Sequence, residues 1–174
     1  MTDRFAHHLR LNQIGEGERI DLIADEDERS AIARRLGLGA LSCLEAHAAL
    51  SREGEVVRAR GRLAAALEQS CVVTNEPVPA HIDEPFELVF MPEPGPTAGE
   101  DEIELGGDDL DVVFHDGSEI DLGTAIADTL ALCLNPYPRS AGAEAALKEA
   151  GVLTESEAGP FAALAKLKMG SEGS

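Results

Sequence analysis

A chain of 174 residues with 44% apolar content suits one domain, and a chain of this size buries roughly 70% of its unfolded surface, enough for a core without disulfide or metal staples. Aromatic content of 3%, with no Trp and one Tyr, argues against a platform that stacks nucleic-acid bases. The net charge of −19 argues against nonspecific nucleic-acid binding over the whole surface, but it is unevenly placed: residues 63–138 hold 17 acids and no Lys or Arg, and the other 98 positions carry 16 acids and all 14 basic residues.

Cys43, Cys71 and Cys133 stand in no Cys-x-x-Cys pair, and an odd count fits reduced thiols in a cytoplasm. The start, MTDRFAHHLRLNQI, has no continuous apolar segment of the signal-peptide kind, and no apolar run reaches membrane-span length. The sequence therefore reads as a soluble cytoplasmic protein without a membrane partner.

Phe5, His7, Leu9 and Leu11 alternate, Gly15-Glu16-Gly17 turns, and Ile20 and Leu22 alternate again, which predicts two strands joined by a loop. Asp25 with Glu28 forms a capping-box pattern, so a helix is expected from about Glu26 to Leu36, stopped by Gly37. Residues 40–51 predict a strand with Leu44, Ala46, Ala48 and Leu50 on one face. The stretch 56–73, VVRARGRLAAALEQSCVV, separates at period two into an apolar odd face and an even face that opens with Arg58, Arg60 and Arg62, each about 6.6 Å from the next. Gly61 on the inward face leaves room for close approach of a neighbour, for instance a helix.

Asn75-Glu76-Pro77 breaks that strand, and residues 80–91 resume alternation with Ile82, Phe86, Leu88 and Phe90 inward. PEPGPTAG and the seven acids of residues 100–111 predict a solvated loop over 92–111. Val112–Phe114 reads as a short strand, His115-Asp116-Gly117 as a turn, and Ile120-Asp121 as the opening of a helix with Leu122, Ile126, Leu130, Cys133 and Leu134 on its apolar stripe. Ala143–Ala150 predicts a short helix ended by Gly151. The class is α+β, a mainly antiparallel sheet with a few packed helices: one domain over residues 1–158 and a short tail motif over 159–174.

The strand end QSCVVTNEPVPAHIDEPFELVFMPE, the acidic loop, SEIDLGTAIADTLALCLNPYPR and the terminal FAALAKLK resemble, in order and spacing, the YceD family of large ribosomal RNA subunit accumulation proteins, nearest its alphaproteobacterial branch. The resemblance covers residues 40 to 168. It implies a bacterial ribosome-biogenesis factor without catalytic residues, cofactor or small-molecule substrate, whose partner is large-subunit ribosomal RNA or a precursor particle. Some relatives carry Cys-x-x-Cys at the strand end. Here the motif reads Cys71-Val72-Val73-Thr74, so no metal site carries over.

Two readings of the charged residues stay open. Arg58, Arg60 and Arg62, with Arg139, are the candidate RNA contact, against a solvated strand face paired to acids on its neighbours. Alternatively, the acidic middle takes up a basic, ribosomal protein. In the tail, Phe161, Leu164, Lys166 and Lys168 are candidate partner contacts, against a docked C-terminal helix. The five histidines have no metal-ligand spacing, and His115-Asp116 has no nucleophile motif beside it, so no enzyme is expected.

Overall fold

A computed structural model describes residues 5–95 and 111–152. The chain divides into two compact units, one of residues 1–69 with 79–136, the other of residues 70–78 with 137–174. The acidic segment 96–110 and the tail from 153 onward, with Phe161, Leu164, Lys166 and Lys168, lie outside the described residues.

The larger unit is built on a five-stranded sheet in the order β2-β3-β4-β5-β6, formed by β2 (Glu18–Ile23), β3 (Ala40–Glu53), β4 (Val56–Ser70), β5 (Pro77–Pro92) and β6 (Asp111–His115). The β2–β3 and β3–β4 pairs are antiparallel, and β6 runs parallel to β5. A second, two-stranded sheet pairs β1 (His8–Arg10) with β7 (Glu119–Asp121). Helix α1 (Glu26–Leu36) lies between β2 and β3 in sequence, and α2 (Leu122–Cys133) follows β7. The class is α+β, as the sequence predicts.

Local chemistry sets the boundaries. The Asp25 side chain accepts the Glu28 N–H at 2.8 Å and the Glu28 carboxylate accepts the Asp25 N–H at 2.8 Å, so the capping box forms in full. Gly37, at φ 66°, closes α1 in the left-handed conformation that glycine adopts without a Cβ clash. Acids in the first turn and Arg34 and Arg35 in the last match the helix dipole.

The inward face of the large sheet carries the core. On β3, Leu44, Ala46, Ala48 and Leu50 are buried; on β4, Val57, Ala59, Leu63, Ala65 and Leu67; on β5, Phe86, Leu88 and Phe90. Ile32 of α1 and Leu122, Ile126 and Leu130 of α2 complete it. Each fully buried Leu, Ile or Phe stabilises the fold by about 1.5–3 kcal/mol relative to exposure. Among the described residues no helix is long and apolar enough to cross a membrane.

Four sequence expectations shift. Strand β4 ends at Ser70, so Cys71 and Val73 are not on its face; the chain turns there, with the Asn75 N–H on the Cys71 carbonyl at 2.9 Å. Ile120 belongs to β7 and not to a helix: only Asp121 caps α2, accepting the Thr124 N–H at 3.1 Å. Helix α2 stops at Cys133, with Leu134 already extended. The neighbour that needs Gly61 small is a strand and a ring, since a Cβ there would sit 1.9 Å from the His47 carbonyl oxygen and 2.9 Å from Phe86 Cζ.

The smaller unit contains the 71–74 turn and α3 (Ala143–Glu149), which ends at Gly151 with φ 76°. The Val72 N–H donates to the Pro138 carbonyl at 2.9 Å.

Candidate nucleic-acid interface

Alternation puts Arg19 and Asp21 of β2, His47 and Ser51 of β3, and Arg58, Arg60 and Arg62 of β4 on the sheet's outer face, opposite the core. Register fixes their rows. Asp21 stands opposite His47, which stands opposite Arg62; Arg19 stands opposite Ala49, which stands opposite Arg60; Ser51 stands opposite Arg58. Arg58, Arg60 and Arg62 are all exposed.

Two of these arginines are already paired. Arg62 Nε donates to Asp83 Oδ1 at 2.5 Å, and Arg60 Nη2 lies 2.6 Å from Glu87 Oε1, both partners on β5. Exposed pairs of this kind hold side-chain geometry more than they stabilise the fold. They do lower the positive potential that the stripe presents. Arg58 forms no ion pair among the described residues, and neither does Arg19 of β2. Arg139 is exposed and belongs to the smaller unit.

Arg19 is a companion of the stripe that no local sequence signal marks. The alternation Arg19-Ile20-Asp21-Leu22 shows an outward polar face, but only the register places it across Ala49 from Arg60. The same row geometry places His47 Nδ1 2.7 Å from Asp21 Oδ1, and this hydrogen bond raises the imidazole pKa above its ordinary value, helped by the negative charges of Asp21 and Glu45.

His115 is buried and uses both ring nitrogens internally. Its Nδ1 accepts the Gly117 N–H at 3.0 Å, so Nε2 carries the proton and donates to the Glu55 carbonyl at 2.8 Å. The side chain thereby ties the end of β6 to the β3–β4 turn. Asp116 beside it accepts from the Ser118 hydroxyl and N–H, at 2.6 and 2.9 Å, which holds its carboxyl below the usual range.

A cleft of about 270 Å³ opens near the N-terminus of α2. Phe90, Val113, Ile120 and Ala125 line it with apolar surface, and Asp116, Glu119 and Asp121 place carboxylates around it. Asp121 accepts from neutral donors, the Thr124 N–H and hydroxyl and the His7 N–H, which keep it ionised against its partial burial. His8 Nδ1 lies 3.2 Å from Glu119 Oε1.

In the smaller unit, Cys71 Sγ accepts the N–H groups of Val73, Thr74 and Ser140 at 3.4, 3.4 and 3.2 Å. Burial pushes the thiol pKa up, but the hydrogen bonds from Thr74 and Ser140 prevail and bring it down to about 6. Glu76 Oε2 accepts the Ser140 and Thr74 hydroxyls at 2.6 and 2.9 Å, which hold its carboxyl low. The turn holds one thiol and not a Cys-x-x-Cys pair: Thr74 stands three residues after Cys71, and the sulfur faces hydrogen-bond donors. Among the described residues no group of three or more His, Cys, Asp and Glu is arranged to hold a metal ion.

A family model described as Large ribosomal RNA subunit accumulation protein YceD matches residues 59–168. No curated protein matches, and no solved structure matches.

Proposed function

The chain belongs to the YceD family, and we propose that it acts in the cytoplasm as a noncatalytic ribosome-biogenesis factor, binding large-subunit ribosomal RNA or a precursor particle through the outer face of its sheet. The observation that carries this reading is the outward row Arg58, Arg60 and Arg62 on β4, held in line by strand geometry, in a chain whose residues 63–138 hold no Lys or Arg. Guanidiniums in fixed spacing suit phosphate oxygens, which accept two parallel N–H bonds from one fork. With so few aromatics, the contact follows the backbone and not the bases. Arg139, and the tail residues Phe161, Leu164, Lys166 and Lys168, are proposed as further contacts.

Replacing Arg58, Arg60 and Arg62 together with Gln tests the reading. The side chains are exposed, so the fold is expected to survive. Association with large-subunit precursor RNA is expected to weaken, and the slope of log K against log salt to flatten by about 0.7–0.9 for each phosphate the protein no longer neutralises. A folded triple variant with wild-type affinity and salt slope overturns the assignment.

A second reading has its own observation. The carboxylate-rimmed cleft with an apolar floor fits a Lys or Arg side chain of a basic, ribosomal protein, its stem on the floor and its charged head at the rim. Capture of a basic ribosomal protein that is abolished in Glu119→Lys, with RNA affinity unmeasurable, is the result that favours it.

A further inference from the structure

We propose that the phosphate contact of the outer face is centred on Arg19 and Arg58, over a floor of Ala49 and Ser51, and not on Arg62. This rests on the RNA-binding reading above and places the contact within it.

The pairing pattern divides the outer face into rows of different character. In the Asp21–His47–Arg62–Asp83 row every charged group has a partner: His47 binds Asp21 at 2.7 Å, and Arg62 binds Asp83 at 2.5 Å. An incoming phosphate would have to displace a carboxylate already in place, and would meet the second carboxylate beside it. In the next row, Arg19 and Arg60 stand on either side of Ala49, and among the described residues only Glu87 answers them, through Arg60 at 2.6 Å. One row further, Ser51 lies beside Arg58. Among the described residues of this face, positive charge in excess of its local partners therefore lies in these two rows, with Glu53 as the acid at the β3 end.

Arg19 and Arg58, which form no ion pair among the described residues, face each other diagonally. Arg19 and Arg58 are two strands and two residues apart, which puts their Cα atoms about 12 Å from one another on a regular sheet. Between them lie Ala49 and Ser51, both exposed and both short. Long side chains on either side of short ones leave a shallow seat that both guanidiniums can reach, with the Ser51 hydroxyl as an added donor. The ligand class is a ribose-phosphate backbone, since the seat offers N–H and O–H donors and no aromatic ring.

The test uses polyuridylate as the probe and reads affinity against salt for the full chain. Arg19→Gln and Arg58→Gln are each expected to flatten the slope of log K against log salt by about 0.7, the single-strand value for one neutralised phosphate. Arg62→Gln is expected to leave the slope unchanged. Asp83→Asn, which frees Arg62, is expected to steepen it, a change that damage to the fold would not produce. The placement is overturned if Arg62→Gln flattens the slope while folded Arg19→Gln does not. If the triple variant of the stripe weakens binding but Arg19→Gln is silent, the RNA reading stands and the placement alone fails. If wild-type protein binds neither polyuridylate nor large-subunit precursor RNA, the reading fails and the placement with it.

Discussion

Cys71 is a buried side chain on the apolar side of the sequence pattern, yet its sulfur acts as a polar group. Three N–H donors converge on it, from its own turn and from Ser140, and against the effect of burial the hydrogen bonds from Thr74 and Ser140 bring its pKa down to about 6. An unfolded thiol ionises near 9.0, so the thiolate favours the folded turn fully above that pH, and the contribution fades as pH falls from 9.0 through about 6. Ultraviolet absorbance of the thiolate, compared between wild type and Cys71→Ala, is expected to titrate with a midpoint near 6. Burial should nonetheless make Cys71 react more slowly with a bulky alkylating reagent than exposed Cys43. His47 gives the opposite sign. Asp21 raises its pKa above 6.5, so the pair contributes fully below pH 6.5 and its contribution disappears as pH rises through the folded value. Proton NMR titration of Asp21→Asn is expected to return the imidazole toward 6.5; an unchanged midpoint would mean that Asp21 does not hold it.

At the scale of elements, alternation and caps are readable in the sequence while pairing is not. The odd positions of β4 from Val57 to Leu67 and the full capping box of α1 follow from spacing alone, because side-chain period and orphan N–H groups are local physics. The parallel pairing of β6 with β5 and the assignment of Ile120 to β7 depend on distant partners. So does the pairing of Arg60 and Arg62 with β5, an open alternative in the sequence because register across three strands has no local signature. Gly61 illustrates both halves. Its need to be small is legible, but the identity of the neighbour is not. Gly61→Ala would drive a Cβ to within 1.9 Å of a backbone oxygen of β3, which cannot swing aside as a side chain would. The variant is expected to be less stable by about 1–3 kcal/mol, seen as a lower thermal midpoint. A wild-type midpoint would show that β3 and β4 separate there without cost.

For the whole molecule, the decisive quantity is how charge is distributed and how much of it is already answered internally. A chain of net charge −19 repels RNA at long range, so any RNA contact must come from a face where guanidiniums outnumber the carboxylates beside them. Among the described residues of the outer face that condition is met by the rows of Arg19, Arg60 and Arg58 and not by the row of Arg62. Family membership supplies the process, accumulation of the large ribosomal RNA subunit, and the geometry supplies a candidate surface for it. The most direct measurement is ultraviolet crosslinking of the protein in its native cell, with both the captured RNA and the crosslinked peptides identified. The expected capture is large-subunit ribosomal RNA or its precursor, joined to peptides of β2, β3 and β4 that carry Arg19, Ser51 and Arg58. Absence of large-subunit RNA from the captured material, or its attachment only to peptides outside the outer face, would contradict it.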